Sequence, residues 1–366
     1  MSGGLQHQVA AAISQGHGHI KVGKDPMSFG LYKQVAMAML QNTSREMIFA
    51  RTFMILSWNL MSRAANTVSI CYGHLEWCDD ALCVYFAHMK NDQRGTRPRD
   101  PRHVYANPIS PEICPILALD TIFYTGIFWA TYGFDSSDVH LFPGNDEYER
   151  FRKVLKGSEV APELERRGNT ADDIGTHSMR KGASTYCSSG STACPPSVAV
   201  HLRAEWSMEG VQDRYLCHDA AGDMFVGRTV SGLPILQPDF AALPPRFTTS
   251  DAEVQRAKDI CFPGLPQSIG FVAEFALASL ICHFDFLRDN LPDAHPLFQS
   301  PLFTDAELIS RLRLCVQPES TDDEMQPTGV PPHVKILSEL QSVCSERKEA
   351  IKFRSVVLQT LQSRRM

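Results

Sequence analysis

A short stretch near the middle of the chain, GTHSMRKGAS at residues 175–184, carries side chains that could handle a phosphate. His177 and Arg180 are three residues apart, which puts both on one face of a helix. A guanidinium is always charged and can donate two hydrogen bonds to one oxyanion. The same letters also fit an ordinary amphipathic helix start, so the chemistry depends on which residues accompany them elsewhere.

Four more polar or aromatic residues occur in apolar or glycine-rich surroundings, namely Arg63, Lys90, Trp206 and Tyr215. Arg63 lies in an apolar run that has helical spacing, where an unpaired charge would be costly, so it needs a partner. Lys90 stands where the second of three expected strands enters its loop. Trp206 and Tyr215 are nine residues apart.

In order and type these six residues resemble the catalytic set of the tyrosine recombinase (phage integrase) family. That set is an arginine, a lysine in a β-hairpin, His-x-x-Arg, a histidine or tryptophan, and a tyrosine nucleophile. A separation of nine residues is typical of its last two members. The segments HSMRKGA, KNDQRG, HVYANPISPEICP and WSMEGVQDRY are most similar to the Crypton-type recombinases of eukaryotic DNA transposons. The resemblance covers about residues 27–245.

The resemblance implies breakage and rejoining of double-stranded DNA by phosphoryl transfer to a tyrosine. Tyr215 would be the nucleophile and would hold the strand as a 3′-phosphotyrosine. Lys90 would protonate the leaving 5′-oxygen as a general acid. Because the covalent bond conserves the phosphodiester energy, we expect neither ATP nor a metal nor another cofactor.

The remaining four residues would bind the phosphate itself. Arg63 and Arg180 would clamp its non-bridging oxygens, which gain negative charge in the transition state. Trp206 would donate its indole N–H. His177 would donate to the phosphate or exchange the proton of the tyrosine. Each side chain also has an ordinary explanation: an ion pair for an arginine, solvent for a lysine, the core for an aromatic ring.

Basic residues cluster around the predicted hairpin and predict a DNA-binding strip, made of Lys90, Arg94, Arg97, Arg99 and Arg102 together with Lys181. Such a strip would bind phosphates with an affinity that falls steeply with salt. The net charge of −6 and pI of about 6.1 argue mildly against a nucleic-acid binder, but part of the acidic excess lies in the C-terminal third. A solvated loop is the alternative explanation for the cluster.

The elements that must position these residues predict an α+β, mainly α, fold. Helical spacing follows a capping-box pattern at Thr43 and Glu46. Alternation in HLEWCDDALCVYFAHMK, with a turn at CDDA, predicts two strands, and HVYAN predicts a third, giving a small antiparallel sheet. Helices are expected over much of the chain after residue 110.

We expect a flexible lead at 1–26, a tyrosine recombinase catalytic domain at 27–248, and a helical C-terminal appendage at 249–316. An acidic, proline-containing linker at 317–332 and a last helix at 333–366 complete the chain. Arg347 and Arg354 interrupt the apolar seam of that helix, which weakens a coiled-coil interpretation.

The composition indicates a globular protein, with 43% hydrophobic and 21% charged residues among 366. Eleven cysteines without a C-x-x-C pair favour reduced thiols over a disulfide framework or a zinc site. No signal peptide or membrane-spanning run is evident in the sequence, so we expect a soluble intracellular protein, nuclear if it acts on chromosomal DNA. Its expected partners are DNA and further copies of itself in a synaptic tetramer.

The chain departs from the family in one respect. Family members usually carry an N-terminal helical domain that closes around DNA, whereas only about 26 residues precede the catalytic region here. We therefore expect that domain to be missing or supplied by another chain. This leaves open a degenerate or domesticated copy that binds DNA or a partner without catalysis. A relaxing topoisomerase of the same mechanism is a third reading, disfavoured by its different arginine spacing.

Overall fold

The structure is a computed structural model that describes residues 23–86, 100–124, 140–142, 144–206, 220–248, 252–262, 269–317 and 325–363. It is mainly helical and contains the small three-stranded antiparallel sheet that the sequence predicts.

The first helices run from the N-terminal side into the centre of the molecule. Helix α1 spans Phe29–Gln41 and helix α2 spans Arg45–Leu60. Ser44 caps α2 by accepting a hydrogen bond from the Met47 amide at 3.4 Å, so the cap lies one residue after the predicted Thr43. Short polar side chains suit this position because they satisfy an amide that the helix leaves unpaired.

Helix α2 is buried on every side. All residues from Met47 to Leu60 are buried, because α2 packs against α1 and against helices α4 (Pro115–Tyr124), α5 (Glu147–Leu155) and α7 (Thr176–Ser189). Trp58 stacks on Tyr32 with ring centroids 4.2 Å apart, and its indole N–H donates to the Val230 carbonyl at 3.0 Å. A helix without a polar face is typical of the centre of a core.

The arginine inside the apolar helix is Arg51, and Arg63 lies outside it. Arg51 is 1% exposed and donates to the carbonyls of Pro111 and Glu112; burial lowers its pKa to about 10. Helix α2 ends at Leu60, and helix α3 spans Ala64–Val68, with Arg63 at its N-cap. Arg63 therefore sits in a break between two helices and is half-buried.

Three strands follow in an antiparallel meander: β1 (Leu75–Cys78), β2 (Ala81–Val84) and β3 (Arg102–Val104). The turn between β1 and β2 passes through Asp79, which has a φ of 52°. The predicted strands and their order are confirmed. Every residue of β2 is buried, however, so the alternation in its sequence marks a strand but not an exposed face.

Helix α7, which carries His177 and Arg180, approaches the chain before α1 very closely at Gly182. A Cβ atom there would overlap the Met27 carbonyl oxygen and lie 2.8 Å from the Trp58 ring. Helices α8 (Ser197–Arg203) and α9 (Ala220–Val230) then pack on each other, and α9 also covers β3. Glycine at 182 thus fixes the distance between α7 and the core.

We predict that Gly182→Ala lowers the free energy of unfolding by about 1–3 kcal/mol, because overlap with backbone cannot be relieved by a side-chain rotation. The higher helix propensity of alanine, taken alone, would raise the free energy of unfolding by about 1 kcal/mol. Urea unfolding of the variant tests this. Gly73→Ala is the matched control, since no heavy atom lies within 4 Å of a Cβ there and the change should stay within about 0.5 kcal/mol. Equal stability of the two variants would contradict the close approach.

The predicted appendage is helical but is packed into the same core. Its helices are α10 (Ala252–Cys261), α11 (Gly270–Cys282), α12 (Phe284–Asn290), α13 (Pro301–Thr304) and α14 (Ala306–Cys315). Strand β5 (Val316–Gln317) at its end pairs with β4 (Arg246–Phe247), which precedes it. Helix α11 packs on α4, and Phe275 stacks on Trp77 of β1 with centroids 3.6 Å apart. One continuous hydrophobic cluster includes residues from both sides of residue 248.

The end of the predicted linker is anchored to the sheet. The Thr328 hydroxyl donates to the Asp80 carboxylate at 2.6 Å and shares a hydrogen bond with the Tyr105 hydroxyl at 2.7 Å. Arg228 pairs with the same carboxylate, inside the protein. Helix α15 (Pro332–Ser363) follows and exposes apolar side chains, among them Ile336, Leu340, Val343 and Ile351.

Two buried histidines make the stability of this fold sensitive to mild acid. Burial lowers the pKa of His283 to about 4, and burial also lowers the pKa of His295 to about 4. The unfolded chain binds protons at these residues near pH 6.5. The contribution of these two histidines to the free energy of unfolding is therefore fully present above pH 6.5. It is lost as the pH falls from 6.5 towards 4, because the unfolded state takes up more protons than the folded state.

We predict a slope of about 2 kcal/mol per pH unit in the free energy of unfolding around pH 5.5, from two sites that bind protons only when unfolded. Urea unfolding at pH 5.0 to 6.5, above the range of most carboxylates, measures it. His283→Gln should remove about half of the slope. A flat profile in the unaltered chain would contradict the prediction.

In the part of the chain that the structure describes, no single helix has the length and hydropathy to cross a membrane. Helices α11 and α12 meet that criterion only as a pair bent by 61°.

Candidate functional site

The C-terminal end of helix α8 positions Glu205 and Trp206. The Trp206 amide donates to the His201 carbonyl at 3.0 Å and the Glu205 amide to the Leu202 carbonyl at 3.1 Å, which is the Schellman pattern. Glu205 has a φ of 52°, in the left-handed region that usually belongs to glycine at this position. A side chain there costs about 1–2 kcal/mol. Glu205 therefore has a strained backbone conformation, and its carboxylate lies at the end of α8.

The Glu205 carboxylate binds the start of helix α3. One oxygen accepts a hydrogen bond from Arg63 Nη1 at 3.3 Å, and the other accepts one from Asn66 Nδ2 at 3.3 Å. The Glu205 side chain is 9% exposed and that of Arg63 is 30% exposed. Arg63 therefore has the partner that its apolar surroundings require, and its side chain remains partly exposed to solvent.

Arg180 is the second arginine at this position. It is buried on α7 and donates to the Ala204 carbonyl at the end of α8, while its Nε has no hydrogen-bond partner among the described residues. Burial lowers the pKa of Arg180, the positive charge of Arg63 lowers it further, and the charge of Glu205 acts in the opposite direction. Arg63 and Arg180 thus both reach the end of α8, where they bind the consecutive residues Glu205 and Ala204.

Trp206 completes this cluster. Its ring centroid lies 5.9 Å from Cζ of Arg180 and 5.3 Å from the ring centroid of His201, in a T-shaped arrangement. It is 38% exposed, which is more than expected for a core tryptophan. An arginine near an indole face is a favourable cation–π arrangement. Arg63, Arg180 and Trp206 therefore meet at the end of α8, where Arg63 pairs with Glu205 and Arg180 binds the Ala204 carbonyl.

His177 and Lys181 lie on the same helix as Arg180. His177 is exposed one turn before Arg180, and the described part of the chain provides it with no hydrogen-bond partner. Lys181 is also exposed, and its ammonium donates to the Lys24 carbonyl at 2.7 Å. The segment around Lys24 runs beside the start of α7, where the Met27 amide donates to the Ser178 carbonyl at 3.0 Å.

Arg102 was predicted to belong to the DNA-binding strip, and this is wrong. It lies on β3, is 5% exposed, and donates to the Leu202 carbonyl at 3.0 Å. Its guanidinium also lies 3.7 Å from the carboxylate of Asp223. Burial lowers the pKa of Arg102, and Asp223 offsets part of that effect. Arg102 is therefore a structural residue, and its hydrogen bond to Leu202 supports the end of α8.

Asp223 is the buried carboxylate that pairs with the basic residues near the end of α8. It accepts from Arg203 at 2.7 Å and from the His103 amide at 2.9 Å, all three groups being buried. Burial by itself would raise the pKa of Asp223, but Arg203, His103 and Arg102 together lower it below its usual range. The paired charges hold α8, α9 and β3 together, and α8 in turn carries Glu205 and Trp206.

Five of the predicted residues lie outside the described part of the chain: Lys90, Arg94, Arg97, Arg99 and Tyr215. The roles assigned to them remain predictions. Among the described residues, no group of three or more His, Cys, Asp or Glu side chains could hold a metal ion.

The sequence analysis did not identify Glu205 or Asn66. The only signal was their position, since Glu205 directly precedes Trp206 and Asn66 comes three residues after Arg63. A residue three positions along a helix shares its face. Nothing in the sequence shows that residues 66 and 205 meet, because 139 positions separate them.

No protein-family model and no curated protein matches this chain. Among solved structures, the Flpe–Holliday junction complex is similar with a TM-score of 0.42 and 11% identity, covering 78% of this chain and 69% of that chain. The FLP recombinase–Holliday junction complex I is similar with a TM-score of 0.40 and 11% identity, covering 79% and 68%. At TM-scores this low the likeness carries no argument.

Proposed function

We propose that this chain breaks and rejoins double-stranded DNA through a 3′-phosphotyrosyl intermediate, as a tyrosine recombinase. One observation carries the proposal: Arg63 and Arg180, distant in sequence, meet at the end of α8, where Arg63 pairs with Glu205 and Arg180 lies beside Trp206. A carboxylate and a phosphate each offer a pair of acceptor oxygens that a guanidinium can bind. A position where one arginine already binds a carboxylate and a second arginine lies nearby has the charge and the donors to bind a phosphate.

This arrangement suits phosphoryl transfer because negative charge gathers on the non-bridging oxygens as the bond changes. Fixed donors aimed at that charge need no reorganisation during the reaction, and each contributes on the order of 10²–10³ in rate. Arg63 and Arg180 would supply charge and paired donors, and Trp206 would supply one neutral donor. The exposed side of Trp206 and Arg63 is the side from which DNA would enter.

The covalent step is then assigned to three residues taken from the motif. The phenolic oxygen of Tyr215 forms a bond to phosphorus as the bond to the 5′-oxygen breaks. Lys90 gives its proton to that oxygen, and His177 accepts the proton of the tyrosine. Religation reverses each transfer, so the number of phosphodiester bonds is unchanged at the end and no ATP is consumed.

The wider biological role rests on the motif resemblance. We propose that the chain serves integration or excision of a mobile element of the Crypton type, that it acts in the nucleus, and that several copies assemble on DNA. The proposed catalytic domain would need a DNA-clamping partner domain if this chain has none. Arg94, Arg97, Arg99 and Lys181 would contribute non-specific phosphate contacts, which set affinity and salt dependence.

A DNA-binding protein without catalysis is the second candidate. It is favoured by the fact that Glu205 fills the anion position and that Arg180 is engaged with a helix carbonyl. Such a protein would bind DNA duplexes through the basic surface formed by Arg94, Arg97, Arg99 and Lys181, and it would leave the DNA strands uncut.

The two candidates differ in whether a covalent complex forms. The purified full chain is incubated with duplexes that contain one nick and a randomised flanking sequence, then denatured in SDS. The proposal requires DNA 3′ ends joined to the protein, with the linkage mapped to Tyr215 by mass spectrometry. DNA that is retained on the native protein but never joined to it identifies the non-catalytic binder.

A further inference from the structure

The anion-binding position at Arg63 is already occupied by a side chain of the protein itself, because Glu205 pairs with Arg63 while Arg180 binds the carbonyl of the preceding residue, Ala204. We propose that Glu205 competes with DNA for this position: its carboxylate holds Arg63 while no DNA is bound, and it must leave before a phosphate can enter. The inference rests on the proposed function, in which the same position receives the scissile phosphate. It assigns Glu205 a regulatory role that the catalytic set does not include.

The strained backbone conformation at Glu205 favours a functional role for its carboxylate. Position 205 is the left-handed residue of a Schellman motif, where glycine would relieve the strain. The chain places glutamate there and aims it at Arg63 and Asn66. Because the helix end is held by the backbone bonds of Glu205 and Trp206, the side chain can swing away without unravelling α8.

The arginines themselves fit a site that has not yet bound its ligand. Both hydrogen bonds to Glu205 are long, at 3.3 Å, so the carboxylate is held loosely for an ion pair. Arg180 is bound to the Ala204 carbonyl and keeps a buried Nε–H without a partner in the described part of the chain. A phosphate entering from the exposed side of Arg63 would replace the carboxylate and offer acceptors to both guanidiniums.

The competition can be measured with inorganic phosphate, without DNA. A ligand that binds only the folded state raises the unfolding midpoint by an amount that grows with the logarithm of one plus its concentration divided by Kd. The unaltered chain, Glu205→Gln and Glu112→Gln are compared over a phosphate series, with chloride exchanged to keep ionic strength constant. Glu112 is the matched control, since it is 14% exposed and pairs with Lys33 at 3.0 Å.

We expect Glu205→Gln to reach the same phosphate-dependent stabilisation at roughly five- to tenfold lower phosphate, because a competing charge is removed but the volume is kept. Glu112→Gln, with the same change in net charge, should behave like the unaltered chain. The gain should vanish in an Arg63→Gln/Glu205→Gln double variant. Equal phosphate affinity in all chains, an equal gain in Glu112→Gln, or no phosphate binding in any chain would each overturn the proposal.

A second readout separates competition from positioning. With nicked DNA as substrate, loss of a competitor should lower KM and leave kcat unchanged, because only the DNA-free state is affected. A fall in kcat would instead show that Glu205 positions Arg63 during the reaction, which would overturn the competitor role. Tighter phosphate binding without any covalent complex would leave the Glu205 inference intact and reject the proposed function; the reverse result would reject only Glu205.

Discussion

A Tyr215→Phe variant is expected to form no SDS-resistant complex with nicked DNA under conditions in which the unaltered chain forms one. The change removes only the phenolic oxygen, and no atom of phenylalanine can form the bond to phosphorus. We expect the yield to fall by at least about 10⁴-fold, the size of effect typical of removing a nucleophile. The measurement is the fraction of labelled 3′ ends that co-migrate with denatured protein.

The matched control is Tyr148→Phe. Tyr148 lies on α5 and is 42% exposed, so the same atom is removed from a tyrosine that has no assigned role. This variant should keep the full yield. Native binding of uncut duplex by Tyr215→Phe must also be retained, which shows that the loss is chemical. A covalent complex that persists in Tyr215→Phe would show that another residue is the nucleophile.

An Arg180→Lys variant is expected to slow formation of the covalent complex by about 10²–10³-fold. Lysine keeps the positive charge but is a single point donor, so it cannot bind two non-bridging oxygens as the guanidinium fork does. Single-turnover rates at saturating DNA measure the effect. The control is Arg152→Lys, because Arg152 on α5 is 56% exposed, lies 3.6 Å from Glu149 and should tolerate the exchange.

Arg180 is buried and binds the Ala204 carbonyl, so its replacement also affects stability. Arg63→Lys therefore provides a second test at a half-exposed position, where the fold is less dependent on the side chain. Both variants should be slow while they still bind DNA. Rates within threefold of the unaltered chain for both lysine variants would mean that the two arginines do not form a catalytic clamp.

These three variants are expected to change three different properties of the site. Tyr215→Phe would remove the covalent product, Arg180→Lys would slow it, and Glu205→Gln would change how readily the site accepts a phosphate. A protein that only binds DNA would give no covalent product in any of them, and the salt dependence of its binding would be set by the basic surface alone.

The sequence was sufficient where the pattern is local. Alternation within β1 and β2 predicts their strands because successive side chains on a strand point to opposite faces. The start of α7 is predicted because an amphipathic run follows Gly175, and the three-residue spacing puts His177 and Arg180 on one face. The family resemblance further selected Arg63 and Trp206, which the fold brings into one cluster with Arg180.

Sequence reasoning was insufficient where burial depends on another part of the chain. Arg102 has the letters of a solvated basic loop, yet α8 and α9 cover it and Asp223 pairs with it. The helices after residue 248 read as a separate appendage, yet Phe275 stacks on Trp77 and the core is continuous. Whether a polar or apolar face is exposed is set by what packs on it, and local periodicity does not contain that information.

The sequence by itself determined the residue types that could handle a phosphate and their order along the chain, because both are read directly from the residues. Only the tertiary structure decided that Arg63 and Asn66 bind the strained Glu205 at the end of α8, beside the carbonyl that binds Arg180. Long-range hydrogen bonds and buried ion pairs join segments more than a hundred residues apart, so no local pattern could predict which charge would occupy the centre of the site.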